Sequence, residues 1–188
     1  SEQNMMGMSA GIASEKCHTF VYSIANFPTF RCAEQIRNDI DYHKLPVTIV
    51  SVGSGVGYGN LGYSHHALQD LALMRSFPNM LILAPGNNNE LVSSLKYITN
   101  NPQPSYLRLD KDKCIESKRK KNIKIIPGKL IRILNASKKN VIIVTGKNQE
   151  IAIEMSKNKY KGYSVFSLPM WGMSTKKNFF YSINKFKN

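Results

Sequence analysis

The sequence predicts an α/β fold built on a mostly parallel sheet with flanking helices. Two observations predict it. Short runs rich in Val, Ile and Tyr, bounded by Pro, Gly and Asn, alternate with segments whose apolar residues recur at helical spacing. That alternation is the pattern of strand–helix–strand units, which pair their strands in parallel. The composition permits such a core: 42% of the 188 residues are hydrophobic, enough for one or two small domains.

The elements follow in order. A helix is expected over 3–14 and a strand over 19–24 (Thr-Phe-Val-Tyr-Ser-Ile). The next helix, 31–43, places Cys32, Ile36 and Ile40 at i, i+4 and i+8, one apolar stripe. Strand 46–52 precedes helix 66–76, whose stripe is Leu68, Leu71 and Met74. Strand 80–84, helix 88–99 and strand 104–109 complete a first unit, residues 1–110. Residues 111–128 break the pattern, with Lys118-Arg119-Lys120-Lys121 and a closing Pro127-Gly128, and read as an exposed basic linker. Residues 129–188 show two clear strands, 141–145 and 163–168, and one helix, 148–159, and read as a partial second domain. Parallel sheets bind ligands at the carboxyl ends of their strands, so loops 25–30, 53–65 and 85–88 are the expected ligand edge.

Charge is distributed unevenly. The formal net charge is +14. Residues 1–110 carry seven Lys/Arg against eight Asp/Glu, whereas 111–188 carry nineteen against four. A basic chain invites a nucleic-acid reading. The basic half holds only Arg119 and Arg132 as arginines and does not interleave them with aromatics, so a nucleic-acid partner is not expected. Lys and Asn abound together, 20 and 18 residues, which is as consistent with compositional bias as with a polyanion partner. No apolar run approaches the roughly 20 residues of a membrane span, so no membrane role is expected. The opening Ser1-Glu2-Gln3-Asn4 is polar, unlike a secretory signal. Three cysteines, Cys17, Cys32 and Cys114, with no CxxC, fit a reducing cytoplasm better than a disulfide framework or a zinc site.

Four groups of residues carry chemistry. Glu2 opens the first helix, a position a carboxylate favours through the helix dipole whether or not it binds anything. Residues 53–66 hold five glycines and deliver His65 and His66 to the start of a helix. Gly57, Gly59 and Gly62 match GxGxxG, but the frame opens several residues past the strand and the next strand ends without an acid for a ribose, so a dinucleotide site is not expected. The histidines are either ordinary helix-start residues or ligand contacts; Asp70 alone does not make them a metal site, and none is expected. Phe20 and Tyr22 alternate on a strand, and Phe27 and Phe30 fall in the loop after it, where a flat ligand gives large aromatics a purpose. Arg31 and Arg108 stand near the ligand edge, suited to bidentate phosphate binding or to salt bridges.

In that order the groups resemble the pyrimidine-binding domain of transketolase-like, thiamine-diphosphate-dependent enzymes. The resemblance is carried by Glu2-Gln3-Asn4-Met5, the aromatic stretch Thr19–Phe30, Gly59–His66 ending in Ser-His-His, Arg75-Ser-Phe-Pro-Asn-Met80 and Ala84-Pro85-Gly86. Residues 129–188 resemble, more loosely, the beginning of the family's C-terminal domain. The nearest likeness is to the separate C-terminal subunit of split transketolases, with deoxyxylulose-phosphate synthase more distant.

The resemblance implies roles. Glu2 matches the glutamate on the cofactor's pyrimidine ring, favouring the imino tautomer that activates the thiazolium carbon as a nucleophile toward a ketose. Phe20, Tyr22 and Phe27 match the aromatic wall against the pyrimidine. His65 matches the histidine that bonds the donor's oxygen. Arg31 and Arg108 match positions that hold a substrate phosphate. The implied activity is ketol transfer between (phospho)sugars, with a decarboxylating synthase or a non-catalytic basic module or inactive remnant as alternatives. The sequence departs from the pattern at Leu61 and at Val52-Gly53, where the family carries polar sugar contacts, and it has no Gly-Asp-Gly followed by a distant Asn. The diphosphate and magnesium are therefore expected on a partner, a diphosphate-binding transketolase N-terminal subunit or domain. A homodimer or heterotetramer follows, and this chain reads as a truncated subunit or fragment.

Overall fold

The computed structural model describes residues 1–111, 123–136 and 140–186. Its elements are α1 (Glu2–Ser14), β1 (Thr19–Ile24), α2 (Asn26–Phe30), α3 (Ala33–Gln35) running into a π-helical stretch Ile36–Asp41, β2 (Val47–Val52), α4 (Asp70–Ser76), β3 (Leu81–Leu83), α5 (Asn88–Asn100), β4 (Ser105–Leu109), β5 (Ile131–Leu134), β6 (Val141–Val144), α6 (Gln149–Lys157), β7 (Ser164–Ser167), β8 (Met170–Trp171) and α7 (Lys176–Asn184). A five-stranded sheet has the order β1-β2-β4-β3-β8, and a three-stranded sheet the order β5-β7-β6. Strands β1, β2, β4 and β3 are mutually parallel and β8 is antiparallel to β3. In the small sheet β6 and β7 are parallel and β5 is antiparallel to β7, with a register shift between Arg132 and Leu134.

Period-two alternation sorts the strand residues onto the two faces of the large sheet. Val21, Val47, Ile49, Ile82 and Tyr106 join Met6, Ala10 and Ala13 of α1, Ile36 and Ile40, and Met74 of α4 in one cluster. Leu81, Leu83 and Leu107 face the other way, against Ile98 of α5, Ile125 and Met170. Each large side chain removed from water in this way contributes about 1.5–3 kcal/mol, so packing commits both faces wherever helices cover them, and the strand ends are left open.

Several elements differ from the sequence reading. Residues 25–30, expected as a loop, form α2; Pro28 is tolerated because it lies in the first turn, where no intrahelical donor is needed. The helix expected over 31–43 is interrupted and widens into a π-helix. The wider turn lets Asp41 face inward beside Ile40, where its carboxylate accepts the Asn79 N–H at 3.0 Å. The helix expected from residue 66 starts at Asp70, so His65 and His66 lie in the preceding turn rather than at a helix start. β5, β8 and α7 were not anticipated: β5 and β8 are too short to show periodicity, and α7 buries none of its residues fully. Most of the expected linker, including Lys118–Lys121 and Cys114, lies outside the described residues. Its end is not exposed: Ile125 is buried, Ile123 packs on the α5 cluster, and the Gly128 N–H donates to the Met170 carbonyl at 2.8 Å.

The two units are also sewn together. β8 belongs to the first sheet although it follows the second, the Ala84 N–H donates to Pro169 at 2.8 Å, and the Gly146 N–H donates to Ala84 at 3.0 Å.

Candidate functional site

Topology fixes where the site lies. α1 leads into β1 through a short turn and packs against it, so the start of α1 returns over the carboxyl end of β1. That end continues directly into α2 and then Arg31. Glu2 and Arg31 therefore meet: Arg31 Nη1 donates to Glu2 Oε2 at 2.8 Å, and Gln3 Nε2 donates to the Arg31 carbonyl at 3.1 Å. The Glu2 side chain is 17% exposed and that of Arg31 is 55% exposed, so the pair opens to solvent. A hydrogen bond from its own backbone N–H, and then the Arg31 guanidinium, hold the Glu2 carboxyl below its ordinary range against the effect of partial burial.

An aromatic–histidine contact extends this pair. The Arg31 guanidinium lies 5.3 Å from the centre of the Phe27 ring. The same ring meets His65 edge-on at 5.3 Å, and the centre of the Tyr58 ring lies 6.2 Å from that of His65. His65 Nδ1 is 3.0 Å from Ser64 Oγ, and Asn26 Nδ2 donates to the Ser64 carbonyl at 2.5 Å, which ties the histidine turn to α2. His66 turns away and donates through Nε2 to the Gly59 carbonyl at 2.9 Å. The glycine loop needs its glycines here: Gly53 has a φ of 89°, and a Cβ on it would collide with the Tyr58 ring, while Gly62 has a φ of 78° just before the turn that carries His65.

Of the expected residues, the structure thus gathers Glu2, Arg31, Phe27 and His65. It does not bring in Phe20 or Tyr22. Both lie on the face of β1 opposite Val21 and are 45% and 65% exposed, and the Phe20 ring packs on His18 at 4.5 Å, near the start of the strand. Arg108 is also turned away from solvent. Its Nε donates to Asp70 Oδ2 at 2.7 Å and its Nη2 to the Ala67 carbonyl at 3.2 Å, and the side chain is 18% exposed. In this structure the Arg108 guanidinium is engaged by Asp70 and the Ala67 carbonyl.

Tyr58, Asp70 and Lys111 were missed as site neighbours. Lys111 Nζ sits 5.2 Å over the Tyr58 ring. The signal available for Tyr58 was an aromatic inside a glycine-rich loop, where packing demands a close neighbour. No three His, Cys, Asp or Glu side chains gather into a metal-binding group among the described residues.

Comparison with known proteins finds relatives of the chain. Residues 1–115 match the family described as transketolase, pyrimidine binding domain. The chain is 32% identical over 142 residues to one subunit of the apulose-4-phosphate transketolase of Phocaeicola vulgatus, covering 76% of this chain and 46% of that protein. It is 35% identical over 134 residues to the putative transketolase C-terminal section of Methanocaldococcus jannaschii, covering 70% and 42%. Among solved structures, a split-gene transketolase described as an inactive β4 tetramer superposes with a TM-score of 0.77 at 29% identity, over 90% of this chain and 55% of that one. The chain spans about half the length of the curated relatives it matches. A family match over more than half its residues, on the part of the chain where Glu2, Phe27 and His65 converge, places this chain in the transketolase pyrimidine-binding domain family.

Proposed function

We propose that the chain is the pyrimidine-binding half of a thiamine-diphosphate-dependent ketol transferase acting on (phospho)sugars in the cytoplasm. The observation that carries the reading is the contact chain Glu2–Arg31–Phe27–His65 at the carboxyl end of β1. An open carboxylate beside an aromatic ring and a histidine fits an aminopyrimidine: the carboxylate accepts from a ring nitrogen, and the ring offers a flat apolar face. Bound there, thiamine diphosphate supplies the carbon nucleophile and electron sink for carbon–carbon bond cleavage and transfer.

The chain's own residues then have separable tasks. Glu2, held ionised by its backbone N–H and Arg31, sets the protonation of the ring nitrogen it meets. Phe27 orients the ring plane. His65, fixed between Phe27, Tyr58 and Ser64, presents its second nitrogen toward a substrate oxygen. Arg31 is half exposed and remains the candidate for a substrate phosphate on this chain. The diphosphate and its magnesium belong, in this reading, to a partner subunit or domain of the transketolase N-terminal type, in a homodimer or heterotetramer.

The test is reconstitution with a diphosphate-binding transketolase subunit, followed by ketol transfer and thiamine diphosphate titration for wild type and Glu2→Ala. The variant is expected to assemble and to lose about 10²–10⁴-fold in kcat, the range of a lost acid–base contribution. Undiminished turnover in Glu2→Ala overturns the assignment.

A further inference from the structure

β4 carries a polar stripe that the cofactor reading does not use. Tyr106, Arg108 and Asp110 alternate along β4 and its end and share one face of the strand. All three grip the segment that leads to His65. Tyr106 Oη donates to Asp70 Oδ2 at 2.8 Å; Arg108 Nε donates to the same oxygen at 2.7 Å and Nη2 to Asp70 Oδ1 at 3.3 Å. Asp70 is fully buried. The remaining reach of Arg108 Nη2 goes to the Ala67 carbonyl, which also accepts the Gly55 N–H at 3.0 Å, while the Ala67 N–H returns to the Gly55 carbonyl at 2.9 Å. At the rim, the Ser54 hydroxyl bonds the Asp110 carboxylate, and the Gly53 and Ser54 N–H groups both donate to the Leu109 carbonyl. Residues 53–55 and 67 are the two feet of the glycine loop, and β4 holds both.

We propose that the Asp70–Arg108 pair, with Tyr106, is a positioning clamp that closes the base of the 53–67 loop and so fixes His65 against Phe27. The proposal rests on the reading of His65 as a substrate contact. It assigns Arg108 to the loop rather than to a phosphate. Arg108, itself fixed by the buried Asp70, grips the 67 end directly through the Ala67 carbonyl and the 53–55 end through the Gly55–Ala67 bridge. A lysine at 108 keeps the charge but loses the second donor to Ala67, so a broken clamp shows with every substrate, whereas a weakened phosphate ligand shows only with phosphorylated ones.

Two measurements on Arg108→Lys separate these roles, with Tyr106→Phe as a milder variant that leaves the packing of the ring intact. Hydrogen exchange of the isolated chain should show the Gly55 and Ala67 amides opening about tenfold faster or more, with those of α1 and β2 unchanged. Tyr106→Phe should move the same two amides by a smaller factor. In the reconstituted enzyme, Arg108→Lys should lower kcat about tenfold with phosphorylated and unphosphorylated substrates alike, and KM should change little. Unchanged exchange at Gly55 and Ala67 in both variants, or a loss seen only as a raised KM for phosphorylated substrates, overturns the clamp. An inactive wild-type complex defeats the ketol-transfer reading instead, and the exchange measurement still decides the clamp.

Discussion

Glu90 offers the sharpest test of how the two units hold together. It sits at the third position of α5 and is 1% exposed. Its Oε2 accepts the Gly86 N–H at 2.9 Å and Gln149 Nε2 at 2.6 Å, and Gln149 belongs to α6 of the second unit. Gln149 Nε2 also reaches Ser167 Oγ at 2.8 Å, and its Oε1 accepts from Asn87 Nδ2 at 3.0 Å. Glu90→Ala removes the acceptor for two buried donors at once. Each orphaned donor costs about 1–3 kcal/mol, so the expected loss is about 4 kcal/mol. For a chain of this length that corresponds to a fall in Tm of about 12 °C. Glu90→Gln keeps an acceptor oxygen for both donors and loses only the charge that strengthens them, so it should lose at most about half as much. Thermal melting by circular dichroism and calorimetry measures both, and a double-mutant cycle with Gln149→Ala should show coupling of at least about 1 kcal/mol. A Glu90→Ala loss below about 1 kcal/mol, or an additive cycle, refutes the idea that this network joins the units.

Three other outcomes are expected. Carboxyl titration by NMR should find Glu2 below its ordinary range in wild type, with Arg31→Ala raising it part of the way back, because the backbone N–H remains. Since folding lowers this pKa, the stability it contributes is present above the unfolded carboxyl's pKa and lost as pH falls through the folded value; a gain on acidification has the wrong sign. At pH 8 iodoacetamide should alkylate exposed Cys17 and spare Cys32, which is fully buried and pushed up to about 11 first by desolvation and then by the Glu2 charge; equal labelling of the two counts against the packing of Cys32 under α1. Phe27→Leu should weaken thiamine diphosphate binding about tenfold by removing the ring face. Phe20→Leu, about 13 Å back along β1 from its carboxyl end, should change binding less than about twofold; the reverse order of effects moves the pyrimidine to the other face.

Much of the first unit was legible because its strands are period-two and its helices carry stripes. Every strand expected in residues 1–110 is present within about a residue at each end, and Val21, Ile49 and Tyr106 face the core as alternation requires. The same rule could have assigned Arg108. It shares a face with the buried Tyr106, and a charged side chain on a buried face needs a buried partner, which Asp70 supplies. The spacing of Asp70 and Arg108, 38 residues apart with β3 and α5 between them, hides that pairing from any local window. Phe20 and Tyr22 stand apart from the site for the opposite reason. Alternation correctly put them on one face, but nothing local shows that α5 leaves this part of the sheet uncovered. The histidine turn was misread because Leu68 continues the helical spacing of Leu71 and Met74, while the Gly55–Ala67 bridge, a long-range contact, holds that segment out of the helix.

The excess charge takes on a definite meaning once the units are joined. Net charge by itself pointed to a polyanion, but the residues that form the candidate site come from the nearly neutral half. Among the described residues, Lys111 and Lys147 reach back across the boundary. Lys111 stands over Tyr58, which borders His65, and Lys147, just before α6, lies 4.0 Å from the Asp110 carboxylate at the foot of the His65 loop. Asp110 in turn bonds Ser54. Both lysines are exposed to solvent, where such pairs contribute little to stability and weaken with salt. Their effect is therefore on local potential rather than on folding. They raise it beside Tyr58 and the foot of the His65 loop.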